Sequence, residues 1–334
     1  MSLKYNGTPQ QLFWKGSPRD IVFDSEAIQE KLSATDKPCY IMQDFRGRIG
    51  ASNDGELVSE GRGLQVLAMT NPMTAAQLGD PSFQKDYNLK YSYKTGAMAN
   101  GIASEDLVIA IGKAGFLGSF GAAGLVPARV LQAIEKIQGA LPTQSYAFNL
   151  IHSPNEPALE EGAVKLFLEK GVTVVEASAF LALTENIVHY RVAGLSEDAD
   201  GNVVTKNKVI AKISRKEVAA PFMRPAPEQF LTSLLEKGKI TLAQAKLATR
   251  VSMADDITVE ADSGGHTDNR PLVALLSTII QLRDEMQAKY NFEKKIRVGA
   301  AGGISTPASA LGAFMMGAAF VVTGSVNQAC IEAG

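Results

Sequence analysis

The sequence predicts an α/β protein built on a (β/α)8 TIM barrel, with a small N-terminal cap and a helical insertion after the fifth barrel strand. Three observations lead there. From about residue 93 onward, short apolar runs alternate with helix-length amphipathic ones, a pattern of parallel strands joined by helical crossovers. Eight such units fit within residues 91–334, the size of one barrel domain. Glycine-rich turns close the last two strands, at the end where barrels of this kind place their ligands. A doubly wound six-stranded sheet is the alternative.

The predicted barrel strands, in order, are Thr95–Met98, Phe116–Phe120, Ser145–Leu150, Thr173–Ser178, Val209–Ser214, Ile257–Ala261, Arg297–Ala301 and Phe320–Thr323. Between them lie helix signals. Ser104-Glu105-Asp106 opens one helix, Pro127 stands at the first turn of another, Leu159 to Glu169 repeats apolar residues at helical spacing, and Pro271 precedes a long run. Thr306-Pro307 reads as an N-cap followed by proline at N1. Residues 1–90, with the one tryptophan (Trp14) and the turn-rich DFRGRIGASNDGEL, form the hairpin-bearing cap, and residues 91–334 form the barrel. Residues 215–256 are too long for one strand-to-helix connection and predict an insertion of two short helices, Glu228–Lys237 and Thr241–Arg250. The second opens with a Thr-x-x-Gln capping box. The insertion is either a lid or docking element on the catalytic face, or an excursion that only packs.

Composition excludes several classes. With 46% apolar and 20% charged residues among 334, and a net charge of −2, the chain is folded and offers no basic footprint for nucleic acid. Two cysteines, Cys39 and Cys330, are too few for a disulfide framework and suit a reducing, cytoplasmic setting. Three histidines, with no metal-ligand spacing, predict no metal site. The N-terminal stretch lacks the apolar segment of a secretory signal. Val298 to Ile331 carries no charge, but glycines and a proline interrupt it, so it reads as two core strands around a packed helix rather than a membrane span. The segment after the eighth strand is shorter than a closing helix, which predicts a truncated barrel.

The strongest chemical signal is paired. Ala301-Gly302-Gly303 and Gly324-Ser325 end strands seven and eight, where backbone N–H groups can cradle a phosphate; a tight turn alone is the alternative. At the end of strand six, Glu260 points inward from the strand, Ser263-Gly264-Gly265 lets backbone reach a flat ligand, and His266 follows as a group that titrates near neutrality. Its alternative is a hydrogen-bonding brace for the loop. Gly96-Ala97-Met98 at strand one is small and apolar, suited to backbone contact with a ring edge. Asn149 on strand three can both donate and accept, and His152 lies just beyond it. Lys212 is a charge in an apolar strand that points either into the lumen, where it stabilises anionic charge, or outward as a snorkelling lysine. The spacing Gly115, Gly118, Gly121, Gly124 looks like a dinucleotide fingerprint but lacks its acidic residue, and His189 reads as a helix-packing residue.

These residues resemble the FMN-dependent nitronate monooxygenase (2-nitropropane dioxygenase) superfamily, which includes flavin enoyl reductases. The strings MADDITVEADSGGHTDNRPL, YKTGAMANGIAS, FNLIHSPNEP and GSVNQACIEAG are more specifically similar to the trans-acting enoyl reductase subunits of polyunsaturated fatty acid and polyketide synthases. The resemblance spans nearly the whole chain. It implies FMN, held by Gly96, Ala97, Met98, Asn149, Lys212, Glu260, Ser263, Gly264, Gly265, Ala301, Gly302, Gly303, Gly324 and Ser325. It further implies NADPH as reductant and an α,β-unsaturated thioester on acyl carrier protein domains as substrate, in a protein compatible with a homodimer. His266 is then the candidate acid or oxyanion donor, with His152 in reserve. A nitronate monooxygenase using FMN and dioxygen, and a docking subunit with a structural flavin, are the competing readings.

Overall fold

The computed structural model describes residues 12–59, 63–262 and 268–334, in two units that divide between Gln77 and Leu78. The first unit is a five-stranded sheet of β1 (Phe13–Lys15), β2 (Cys39–Gln43), β3 (Ile49–Ser52), β4 (Glu56–Val58) and β5 (Leu64–Thr70), in the order β3-β2-β5-β1-β4. Helix α1 (Ser25–Ser33) is capped by Asp24. The expected hairpin is β2–β3: Asp44 accepts the amides of Arg46 and Arg48 at 2.8 and 2.9 Å, and Gly47 supplies the positive φ of the turn. Trp14, Tyr40 and Met42 form the unit's core.

The boundary falls ahead of the residue 90 expected from sequence, because α2 (Pro81–Tyr87) packs into the second unit. Phe83 and Tyr87, both fully buried, belong to one cluster with Leu117, Ala147, Val174, Ile210, Phe320 and Val322. These residues line a closed, parallel eight-stranded barrel. Its strands one to eight are β6 (Tyr93–Thr95), β7 (Leu117–Phe120), β8 (Tyr146–Ile151), β9 (Val174–Ser178), β12 (Lys208–Ile213), β13 (Asp256–Glu260), β14 (Arg297–Ala301) and β15 (Val321–Thr323). Beneath the lumen, Arg297 meets Asp256 at 2.5 and 3.0 Å and Asp86 at 2.7 Å, while the Tyr87 hydroxyl donates to Asp256 at 2.6 Å. The floor is therefore closed by α2.

The crossovers are α3 (Glu105–Lys113), α4 (Pro127–Ala140), α5 (Pro157–Glu169), α6 (Glu185–Ala193), then α7 (Lys216–Phe222), α8 (Glu228–Glu236) and α9 (Leu242–Ala248), α10 (Leu272–Tyr290) and α11 (Pro307–Met315). Their start signals are those of the sequence: Ser104 caps α3, Pro127 opens α4, and Thr306 caps α11 ahead of Pro307. Among the described residues no helix is long and apolar enough to cross a membrane.

Three details differ from the sequence reading. Strand one ends at Thr95, so Gly96, Ala97 and Met98 form the turn beyond it. The insertion holds three helices, because α7 tolerates Pro221 in its last turn and buries Val218, Ala219 and Phe222. An unforeseen hairpin, β10 (Leu195–Glu197) with β11 (Val203–Thr205), precedes strand five; Asp198 accepts the amides of Asp200 and Asn202 at 2.9 Å each, and Gly201 turns with a positive φ. The capping box of α9 forms as expected between Thr241 and Gln244. The insertion packs along the wall: Lys237 reaches Glu185 of α6 at 2.6 Å, and Leu231, Leu234, Ala245 and Ala248 join the main core.

Candidate active site

Side chains two apart on a strand share a face. Ile210 is a lumen residue, so Lys212 points inward as well, which decides between its two sequence readings. By the same parity Ser119, Asn149, Glu176, Thr258 and Glu260 face the lumen above Leu117, Ala147, Val174 and Asp256. Lys94, on strand one, bonds Glu176 across the barrel and is fully buried.

Four charges thus meet near the C-terminal mouth. Lys212 lies 3.3 Å from Glu260 and 3.9 Å from Glu176, and Glu176 also holds Lys94 and accepts the Ala97 amide at 3.2 Å. Burial opposes charge on Glu176, but the Lys94 and Lys212 ammonium groups and the Ala97 amide outweigh it and hold its carboxyl below the ordinary range. Burial pulls at Lys212 too, yet Glu176 and then Glu260 raise it above the usual lysine value, so it is a cation at neutral pH. Lys94 and Glu176 went unnoticed in the sequence, although Glu176 is a lone charge in an apolar strand just as Lys212 is.

The glycine turns behave as two kinds. A Cβ on Gly302 would stand 2.7 Å from the Ala261 carbonyl oxygen, so this glycine lets strands six and seven close together. A Cβ on Gly303 (φ +71) or Gly324 would meet no atom within 4 Å, so both present backbone to open space that a side chain would fill. Ala301 faces the lumen cluster beside them, and Ser325 starts the short turn after strand eight. The Gly96 amide donates to the Thr323 carbonyl at 2.8 Å, joining the ends of strands one and eight. Gly121 explains part of the series Gly115 to Gly124: a Cβ there would overlap the Met98 carbonyl oxygen, so it lets the turn after strand one seat on strand two.

Asn149 donates to the Glu176 carbonyl at 3.1 Å and to the Ser178 hydroxyl at 3.0 Å, which fixes its amide in the upper lumen. The hydroxyls of Ser119 and Thr258 are buried there without a protein partner among the described residues. A buried hydroxyl of this kind is satisfied by ordered water or by a bound ligand. His152 is not brought to the cluster: it bonds Glu160 of α5 at 2.8 Å and stacks on Phe180. His189 is half-buried on α6, where burial first and Lys239 second lower its pKa, in keeping with a packing residue. Ser263, Gly264, Gly265 and His266 lie outside the described residues. Their flanks are anchored. The Asp262 amide donates to the Arg270 carbonyl at 2.9 Å, and Asp268 pairs with Arg215 and accepts from Ser214 at 2.8 Å, bonds that pull its carboxyl down to about 2.

Several known proteins are similar to this chain in sequence or in fold. Residues 14–72 match the N-terminal domain family of the fatty acid synthase subunit PfaD. A polyunsaturated fatty acid synthase subunit of Thraustochytrium sp. is 51% identical over 312 residues, covering 92% of this chain and 20% of that protein. The polyketide biosynthesis protein PksE of Bacillus subtilis is 49% identical over 262 residues, covering 78% of this chain and 34% of that protein. Among solved structures, the enoyl reductase domain of MlnA, from the macrolactin biosynthesis cluster of Bacillus amyloliquefaciens, is 41% identical with a TM-score of 0.75, covering 78% of this chain and 59% of that one. The chain thus spans about a fifth and a third of the length of these two curated relatives. Over most of its length the chain is similar in sequence to subunits of polyunsaturated fatty acid synthases and to polyketide biosynthesis proteins, and in sequence and fold to the enoyl reductase domain of MlnA.

Proposed function

We propose that the chain is an FMN-dependent enoyl reductase acting in trans, which reduces α,β-unsaturated thioesters on acyl carrier protein with NADPH. The observation that carries this reading is Lys212, a cation fixed at the lumen mouth between Glu176 and Glu260. The residues present fit FMN. Open backbone at Gly303 and Gly324 suits its phosphate, and the unpartnered hydroxyls of Ser119 and Thr258 suit a polar ring edge. When bound, the flavin supplies a two-electron carrier between nicotinamide and the β-carbon of the substrate. The chain's own groups do the rest. Lys212 meets negative charge on the ring, and the Gly96–Met98 turn offers backbone to its edge. His266 supplies the donor that the thioester oxygen or the α-carbon requires. His152, already committed to Glu160, ranks behind it.

The test has two stages. Flavin released on denaturation is identified chromatographically, with FMN expected. The loaded protein is then bleached by NADPH without oxygen and reoxidised by an enoyl thioester on a carrier protein. Released FAD overturns the cofactor, and a flavin reduced by a nitronate and reoxidised only by dioxygen replaces the reaction with that of a nitronate monooxygenase. Within the same reading, Lys212→Met is expected to retain FMN while lowering its midpoint potential and slowing reduction by NADPH, measured by redox titration and stopped flow. An unchanged potential removes Lys212 from the ring's surroundings.

A further inference from the structure

Lys94 and Glu176 stand on strands one and four, which are not neighbours in the barrel, so their bond crosses the lumen. Their side chains are 0% and 2% exposed. Two ions withdrawn from water at this depth bear a desolvation penalty that an apolar pair of similar volume would not, so packing alone is a poor account of them. The remaining bonds give a better one. Glu176 Oε2 takes Lys94, while Oε1 accepts the Ala97 amide at 3.2 Å and lies 3.9 Å from Lys212 Nζ. Lys94 also donates to the Thr95 carbonyl at 3.2 Å, securing the strand end from which the Gly96–Met98 turn departs. Lys212 reaches on to Glu260 at 3.3 Å. Along strands one, four, five and six the charges alternate in sign and cancel.

We infer that Lys94 and Glu176 are positioning residues for the site: Glu176 fixes the Ala97 turn and the Lys212 ammonium with one carboxylate, and Lys94 is the counter-charge that keeps that carboxylate ionised inside the barrel. This rests on the proposed role of Lys212 and the turn as flavin contacts. Neither Lys94 nor Glu176 is required to touch the ring. They set where the groups that touch it stand. A neutral residue at 176 would give the Ala97 amide and Lys212 no shared anion. A neutral residue at 94 would leave that anion to draw Lys212 deeper into the lumen.

The test uses Glu176→Gln and the double variant Lys94→Met with Glu176→Gln, which keeps side-chain volume and removes the two fully buried charges. One readout needs no flavin: acylation of the Lys212 amine in the flavin-free protein at about pH 9, followed by peptide mass spectrometry with exposed Lys216 as internal standard. The other is FMN affinity from quenching of flavin fluorescence. In the double variant Lys212 should react at least about threefold faster, having lost an anion that favours its protonated form. FMN should bind about tenfold more weakly, while the thermal unfolding midpoint stays within a few degrees of wild type. A folded double variant with unchanged Lys212 reactivity and unchanged affinity makes the pair a packing element and overturns the inference. Should the double variant not fold, Glu176→Asp keeps the charge but shortens its reach, and unchanged values there overturn it equally. A wild-type protein that takes up no FMN overturns the cofactor reading instead, and the acylation arm still judges the pair.

Discussion

Replacing His266 with alanine is expected to leave FMN binding and hydride acceptance from NADPH near wild-type levels, and to slow reoxidation by an enoyl thioester by about 10²–10⁴-fold. The asymmetry follows from the two halves of the proposed reaction. Passing hydride to the flavin requires no proton donor for the acyl group, whereas saturating the double bond loads negative charge on the thioester oxygen and leaves the α-carbon in need of a proton. Rapid-mixing kinetics of each half-reaction separate the outcomes. If both steps and FMN affinity decline together, His266 braces the glycine turn and is not the donor.

Lys94→Met alone is expected to destabilise the barrel by about 3 kcal/mol at neutral pH, because it strands the Glu176 carboxylate in the lumen with Lys212 as its remaining cation. The pH dependence carries the diagnosis. In the wild type the carboxyl of Glu176 is held below its ordinary range, so its contribution to stability is present above that range and fades as the pH falls. In the variant the stranded group gains by taking up a proton. Its folded pKa rises above the unfolded value, and the deficit shrinks as the solution is acidified. Denaturant titrations at about pH 7 and pH 5 read the difference. Far-ultraviolet circular dichroism is the probe to use, since the one tryptophan, Trp14, reports on the other unit. Equal deficits at both pH values would mean that Lys212 fully replaces the lost partner.

Much of this architecture was legible in the chain. Strand seven, Arg297–Ala301, has the predicted limits, and helix starts at Ser104, Pro127 and Thr306 could be placed because capping and first-turn proline are local chemistry. The glycine ends of strands seven and eight were also visible, since open backbone leaves a trace in composition. Strand one was shifted because Lys94 interrupts the apolar run that marks a strand, and the small residues after it resemble a strand more than a turn. The Lys94–Glu176 bond was invisible for a different reason. Its partners are 82 residues apart on strands that never pair, and only closure of the barrel brings them together. A parity test on each strand would have exposed Glu176, because in Val174-Val175-Glu176 an ion takes the place of an inward apolar residue.

The seal that α2 makes with Phe83 and Tyr87 turns the barrel into a cul-de-sac. A ligand of this barrel is therefore reached from the C-terminal end, and in the proposed reaction nicotinamide and acyl chain would share that approach. For the proposed reaction this separates turnover into two visits. The reductant comes, deposits its electrons and withdraws before the thioester on its carrier arm arrives to collect them. Neither visitor has to accommodate the other, and the lumen can be shaped to one flat ring rather than to three partners at once.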